Sequence, residues 1–590
     1  MKQDFVLDPV TQANVDRWLS EAYDADTKTV IRQLLIENPQ EILNSFYTNL
    51  TFGTGGLRGV MGVGTNRINS YTVRATTQGI ANYLVQEFRE DEKAVFIGFD
   101  SRNLSRQFAE DTARVFAGNG IKVYLCKNIR PTPYVSFGCR FKQCQAAVMI
   151  TASHNPPEYN GYKVYWDDGG QVLPPHDKAI LSFINKITGL SMIHQTPDLD
   201  NSLIEFVEEQ VDQAYLQAIS SLQLYPEENQ VQGCDLSVIY TSLHGTGITL
   251  IPQALKLWGI TKIDYVADQI IPDGNFPTAH YPNPEEIDAL NLGIQRLEAT
   301  QADLLIATDP DADRVGVAVF HQGKVETLTG NQVACICLEH VCEALIQQNR
   351  MPERAAFVKT IVTTELFKSI AESFHKTCFN VLPGFKHIAG LIHGWELNSK
   401  GYAFVFGAEE SCGYLLGTHS RDKDAILASA LICEVAQHAK NKNKTLVDLL
   451  HSLYRKHGFY LEKQLSLQFE DTKTGREEMT RGMFKLQSSP PDSIEGIDVL
   501  AIENLSTSVK TFLKTGRTEP LFIPKSNLLI FWLADGSKVI IRPSGTEPKI
   551  KIYCSIKQKH FENLEHAHST CLQVADRILS KFKEILGKAT

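Results

Sequence analysis

The stretch "AAVMITASHNPPEYNGYKVYW", residues 146–166, decides how this chain is read. Its first five small or apolar residues predict a buried β-strand. The Ser, His, Asn and two prolines that follow end that strand in a turn, because proline fixes φ and donates no N–H to a ladder. Ser153 then stands exposed at the strand's carboxyl end, as a nucleophile, a phosphate site or a hydroxyl that satisfies the turn.

The same theme recurs along the chain: "KAVFIGFDSR" (93–102), "DLLIATDPDADR" (303–314), "YAFVFGAEESCG" (402–413) and "SKVIIRPSGTEP" (537–548) each end an apolar, β-rich run in a polar or Gly-rich cluster. Helical patterns lie between them, one starting near Ser105 and stopping at Gly118 to Gly120, another beginning after Asp424. The class is α/β. Open α/β sheets bind ligands outside the carboxyl ends of their strands, so the clusters are candidates for one shared cleft.

With 590 residues the chain is too long for one core and predicts three to five domains. Polar stretches suggest an N-terminal helical extension over 1–40 and domains over 41–225, 226–325, 326–455 and 490–590. A net charge of −10 leaves no basic footprint for nucleic acid, so an anionic substrate must meet local positive charge. No apolar run reaches membrane-span length and the start is too polar for a signal peptide, which points to a cytoplasmic protein with no membrane partner. Twelve scattered cysteines without a CxxC pair fit reduced thiols.

"DPDADR" places Asp309, Asp311 and Asp313 at alternate positions of an irregular loop, where three carboxylates can converge on one hard cation, magnesium first. A solvated acidic turn is the plain alternative. An EF-hand fails, since Arg314 stands where that loop needs Gly and Phe320 where it needs Glu. Arg314 favours the metal, because a guanidinium beside a carboxylate-bound cation makes sense if both face a phosphate.

Taken together, "TASHNPPEYNGYK", "DPDADR", "GAEESCGY" and "RPSGTEPKIK", in this order and at these spacings, closely resemble the α-D-phosphohexomutase superfamily of phosphoglucomutases and phosphomannomutases. "FGTGGLRG", "YTSLHGTG", "YPNPEE", "GFKHIAG" and "RDKDA" look most like its bacterial α-phosphoglucomutase and phosphopentomutase-like branch. The resemblance spans about 45–560. It implies a four-domain, heart-shaped architecture with a central active-site cleft, three related α/β domains and a smaller C-terminal α+β domain.

It also implies a role for each matching residue. Ser153 matches the serine that carries phosphate, followed by His154 in the motif. Asp309, Asp311 and Asp313 match the ligands that hold Mg2+ together with the phosphoserine. Arg58 and Lys163 match basic residues near the transferred phosphoryl group, with Lys163 the candidate for proton transfer. Glu409 and Ser411 match the sugar-recognition loop, while Arg542, Ser544, Gly545 and Thr546 match the loop for the non-transferred phosphate. Gly384, Lys386 and Arg314 complete the substrate-binding set.

The implied reaction interconverts a sugar 1-phosphate and 6-phosphate, glucose foremost, through a phosphoserine enzyme and a bisphosphorylated intermediate, with a sugar 1,6-bisphosphate as activator. The partner is a small phosphosugar, and the protein a monomer or dimer. Phosphomannomutase or phosphopentomutase activity, a metal-dependent sugar phosphatase and a non-catalytic sugar-phosphate binder remain alternatives. Lys163 returns to the site if "GYKVYW" is the adjacent strand, and partial desolvation there predicts a lowered pKa suited to base work.

Overall fold

The computed structural model describes all residues except 1–6, 21–22, 54, 90–91, 399, 471, 545–547 and 588–590. The expectations for Gly545 and Thr546 therefore lie outside the described residues. The chain forms two compact units, one of residues 1–333, 385–407 and 411–445, the other of 334–384, 408–410 and 446–590.

The first unit opens with helices Pro9–Ser20, Ala25–Glu37 and Pro39–Phe46, the latter two begun by the side chains of Asp24 and Asn38 accepting from backbone N–H groups of the first turn. Their apolar faces meet around Val15, Trp18, Ile31, Ile42 and Phe46. The predicted N-terminal helices are present and run on to Phe46.

A six-stranded sheet follows. The strand Ala146–Ile150, all five residues buried, lies next to Ala94–Phe99 in parallel and to Tyr159–Trp166 in antiparallel. Tyr159–Trp166 pairs in turn with Gly56–Val60, while Lys122–Cys126 and Ile204–Val207 extend the other edge in parallel. The parallel strands are nearly continuous in apolar residues because helices such as Ser105–Gly118 and Thr132–Phe141 cover them. A second, five-stranded sheet has Leu304–Thr308 in its centre, parallel to Ser237–Thr241 and antiparallel to Val315–His321. The acidic loop is the short connection between Leu304–Thr308 and Val315–His321. The helix expected after Asp424 is Ala425–Lys440, its first turn held by Asp424 accepting from Ile426 and Leu427 N–H.

The second unit contains the parallel pair Ala355–Thr360 and Thr377–Val381. Its C-terminal part is an antiparallel sheet built on the strands Lys538–Pro543 and Lys549–Gln558, with the long helix Leu564–Ile585 packed on Phe459–Gln468 and Lys549–Gln558. The fold class is α/β with several domains, and an antiparallel α+β portion closes the chain.

Candidate active site

Ser153 comes three residues after the core strand Ala146–Ile150. Its backbone enters the left-handed region at φ +53°, and its N–H donates to Thr151 Oγ1 at 2.7 Å, a side-chain turn that stops the strand. The expectation of an exposed serine is corrected here: Ser153 is 2% exposed. The reason is the acidic loop, since Ser153 Oγ donates to Asp309 Oδ2 at 2.9 Å. His154 Nδ1 lies 3.3 Å from the same hydroxyl, and its imidazole is held well below the usual histidine range by burial and by Arg314 and Arg58.

The loop is wound tightly around Asp309, whose Oδ1 accepts from the N–H groups of Asp313 at 3.1 Å and Arg314 at 3.0 Å, with Ala312 left-handed at φ +48°. The sequence "YTSLHGTG" packs beneath: Thr246 N–H and Oγ1 both donate to the Pro310 carbonyl, at 2.7 and 2.9 Å. Gly245 is required there, because a Cβ would stand 2.3 Å from Pro310 Cα. Asp309, Asp311 and Asp313 are buried, and one carboxylate oxygen from each lies within 4.8 Å of the others. Burial and the charges of Asp311 and Asp313 push the Asp309 carboxyl well above the usual carboxylate range.

These residues fit a divalent cation on two grounds. Asp311 Oδ1 and Asp313 Oδ1 are buried oxygens without a hydrogen-bond partner, and such acceptors are costly unless something positive meets them. Three hard oxygen donors packed this closely also repel one another, which a bound cation relieves.

Lys163 sits on Tyr159–Trp166 opposite Met149, so the neighbouring strand does return it to the site. Its Nζ donates to Asp311 Oδ2 at 2.7 Å and Asp313 Oδ2 at 3.1 Å. The lowered pKa expected from desolvation is not found: burial works in that direction, but the two carboxylates outweigh it and raise the lysine above its ordinary value. Arg314 Nη1 donates to Glu285 Oε1 at 2.8 Å. Arg58, opposite Gly161 in the sheet, is exposed and donates to Asn155 Oδ1 at 3.1 Å. Ser411 lies in the turn after Ala403–Glu409, and Lys386 at the start of the helix Phe385–Glu396, where burial lowers its pKa.

In the second unit Glu409, 6% exposed, accepts from Gly384 N–H at 2.8 Å. Arg542 faces Lys551 across the sheet, and Ser544 N–H donates to the Lys549 carbonyl at 2.8 Å.

Three side chains of the first unit had no assigned role in the sequence reading. Arg102 donates to the carbonyls of Ser153 at 2.6 Å, Pro156 at 2.7 Å and Tyr159 at 2.9 Å, and also to that of Asn155. Thr132, at a helix start, donates its hydroxyl to Asp311 Oδ2 at 2.7 Å and its N–H to the Asp311 carbonyl at 2.8 Å. Lys423 bridges Asp313 Oδ2 at 3.1 Å and Asp422 Oδ1 at 3.0 Å. Arg102 and Lys423 lie inside motifs noted above, "FDSR", which follows a strand, and "RDKDA", and those motifs were the available signal. Thr132 carries no such signal.

Residues 49–190, 213–323 and 329–457 match α/β/α domains I, II and III of phosphoglucomutase/phosphomannomutase. A phosphoglucomutase of Staphylococcus haemolyticus is 36% identical over 554 residues, 93% of this chain and 96% of that one. One from Staphylococcus aureus is 34% identical over 549 residues, 93% and 96%. Among solved structures, a phosphoglucomutase/phosphomannomutase family protein of Burkholderia thailandensis (TM-score 0.67, 16% identity, 91% of this chain and 98% of that one) shares the fold. So does a Paramecium phosphoglucomutase, parafusin (TM-score 0.66, 18% identity, 92% and 95%). The chain belongs to the phosphoglucomutase/phosphomannomutase family and is an isomerase of the phosphohexomutase kind.

Proposed function

We propose that this enzyme interconverts glucose 1-phosphate and glucose 6-phosphate, with Ser153 as the phosphoryl carrier, Mg2+ as the cation and a sugar 1,6-bisphosphate as activator. The observation that carries the reading is the 2.9 Å contact of Ser153 Oγ with Asp309 inside the buried acidic loop. That the staphylococcal relatives are phosphoglucomutases supports glucose as the sugar.

In this reading phosphorylated Ser153 gives its phosphoryl group to the free sugar hydroxyl: the Oγ–P bond breaks, the sugar O–P bond forms, and the hydroxyl proton ends on the released Ser153 Oγ. The bisphosphate turns around and returns its other phosphoryl group to Ser153. Mg2+, held by Asp309, Asp311 and Asp313, would supply charge neutralisation for the transferred group. Lys163, kept charged by its carboxylates, provides a fixed positive donor beside the phosphoryl oxygens, and Arg58 provides a second. The buried position of Ser153 suits the task, because a phosphoryl donor must be fixed in line with its acceptor and shielded from water.

Glu409 and Ser411 would hold the sugar hydroxyls, Gly384, Lys386 and Arg314 the bound phosphosugar, and Arg542, Ser544, Gly545 and Thr546 its distal phosphate. His154, with its neutral imidazole beside Ser153 Oγ, would orient that hydroxyl. A cytoplasmic location and a monomeric or dimeric state complete the proposal. A coupled assay on glucose 1-phosphate, mannose 1-phosphate and ribose 1-phosphate tests it. Formation of glucose 6-phosphate at the highest kcat/KM is expected, and release of inorganic phosphate instead would overturn it in favour of a phosphatase.

A further inference from the structure

Next to Asp313, within the first unit, lies a second buried charge group formed by Lys423 and Asp422. Lys423 Nζ stands 3.1 Å from Asp313 Oδ2 and 3.0 Å from Asp422 Oδ1. Asp422 is 1% exposed, and both its oxygens are engaged on other sides too. Its Oδ1 accepts from the Lys423 backbone N–H at 2.9 Å, and its Oδ2 accepts from the Tyr165 hydroxyl at 2.9 Å and from Gln171 Nε2 at 3.1 Å. Tyr165 is two residues beyond Lys163 on the strand Tyr159–Trp166, and so on the same face of the sheet. The stem of Lys423 is confined as well, since a Cβ on Gly413 would stand 2.1 Å from Lys423 Cδ. The segment also meets the acidic loop at the backbone, where Ala425 N–H donates to the Ala312 carbonyl at 3.2 Å.

Stability alone accounts poorly for this arrangement, because apolar packing of the same volume often serves as well as a buried ion pair. A carboxylate turns with little resistance about its terminal bond, so a ligand carboxylate is ready for a cation only when something else holds it. Asp313 Oδ2 is held by two ammonium groups, Lys163 at 3.1 Å and Lys423 at the same distance. An ammonium beside a cation site also repels the cation, and the Asp422 carboxylate on Lys423 offsets that charge.

We propose that Asp422 is a positioning residue for the cation site: held by Tyr165 and Gln171, it fixes Lys423, and through Lys423 the orientation of Asp313. This role rests on the reading of the acidic loop as the place of the divalent cation.

Titration of the full chain with Mn2+, a hard cation suited to the same carboxylate ligands, tests it, with free Mn2+ read by electron paramagnetic resonance and no sugar present. Asp422→Asn keeps the shape of the side chain without its charge and should weaken Mn2+ binding on the order of ten-fold, as loss of an outer partner of a metal ligand does. Tyr165→Phe changes no charge and removes one hydrogen bond from Asp422, so it should weaken binding about three-fold. Circular dichroism establishes that each variant is folded. Wild-type affinity in folded Asp422→Asn would overturn the proposal, and wild-type affinity in Tyr165→Phe would do so too, since it would leave only a through-space effect of the Asp422 charge. Should Asp422→Asn not fold, Tyr165→Phe decides alone. A wild-type chain that binds no Mn2+ would remove the acidic loop as a cation site and this role with it.

Discussion

The Arg102 guanidinium donates to the carbonyl of Ser153 at 2.6 Å, so the peptide carrying Ser153 is fixed from behind by a buried cation. The same group reaches three further carbonyls of the loop, pairs with Asp100 at 3.4 Å and lies 4.8 Å from the Phe276 ring. Asp100 in turn accepts from Arg102 N–H at 3.0 Å and from Ser105 Oγ at 2.7 Å, tying the loop to the sheet and the following helix.

Arg102→Lys keeps the charge beside Asp100 but loses the planar fork that reaches several carbonyls at once. A displacement of about 1 Å at Ser153 costs on the order of 10²-fold in rate. We expect kcat to fall by about that factor with KM for the sugar phosphate nearly unchanged. Steady-state kinetics on folded protein is the check, and an undiminished kcat would show that the loop holds itself.

Ser153→Ala should abolish mutase turnover, by roughly 10³-fold or more, because the phosphoryl carrier is gone. The lost hydrogen bond to Asp309 costs about 1 kcal/mol of stability, more than an exposed hydroxyl would, since Ser153 is buried. Activity assays and urea unfolding read the two effects separately. Turnover above a few per cent of wild type would remove Ser153 from its role.

Activity should disappear in excess EDTA and return with magnesium. In Asp311→Asn the apparent magnesium affinity should drop by about ten- to a hundred-fold, because one anionic oxygen is lost and the Lys163 contact at 2.7 Å weakens with it. Full activity in chelator would rule out the acidic loop as a metal site.

The second unit holds a buried charge group whose removal should be felt as stability. Glu365 Oε1 receives Lys359 Nζ at 2.9 Å and Lys538 Nζ at 2.5 Å. Burial works to raise the Glu365 carboxyl, but the two ammonium groups win and hold it far below the usual range. A depressed carboxylate contributes stability above its unfolded pKa of about 4.3 and loses it as pH falls toward the folded value. Burial, aided by Lys359, pushes Lys538 down to about 8. Glu365→Gln should therefore cost about 3 to 5 kcal/mol at neutral pH, and adding Lys538→Met should recover part of it. Urea midpoints at pH 7 decide this, and additive losses in the double variant would contradict the pairing.

Strand ends and their chemistry were legible because period and composition mark them locally: the run 146–150, the acidic alternation at 309–313 and the helices after Ser105 and Asp424 all stand where the residues place them. What sequence could not carry was anything set by a distant partner. The burial of Ser153 depends on Asp309, 156 residues away, and the raised pKa of Lys163 on Asp311 and Asp313, 148 and 150 residues on. Thr132 was invisible because a threonine at a helix start reads as an ordinary residue until its hydroxyl is seen on Asp311.

Sugar preference should be relaxed at C2. Glu409 is buried and already accepts from Gly384 N–H at 2.8 Å, so its remaining acceptor capacity is fixed in direction, as gripping vicinal hydroxyls requires. If Glu409 and Ser411 hold the 3- and 4-hydroxyls, a grip common to both orientations of the ring, the C2 hydroxyl that distinguishes glucose from mannose is not read. A site rejects an analogue strongly only where a buried polar group is left unpaired, and inversion at an unread carbon leaves none. Mannose 1-phosphate should therefore be turned over with a kcat/KM penalty of about 10- to 100-fold, equivalent to about 1 to 3 kcal/mol. Glu409→Ala should harm both sugars alike, because it removes the shared grip and frees Gly384, whose φ of +115° the carboxylate helps to hold. Measuring kcat/KM for both sugars on both proteins tests the idea: a wild-type penalty above about 10⁴-fold, or a Glu409→Ala defect confined to one sugar, would mean that this loop reads C2 after all.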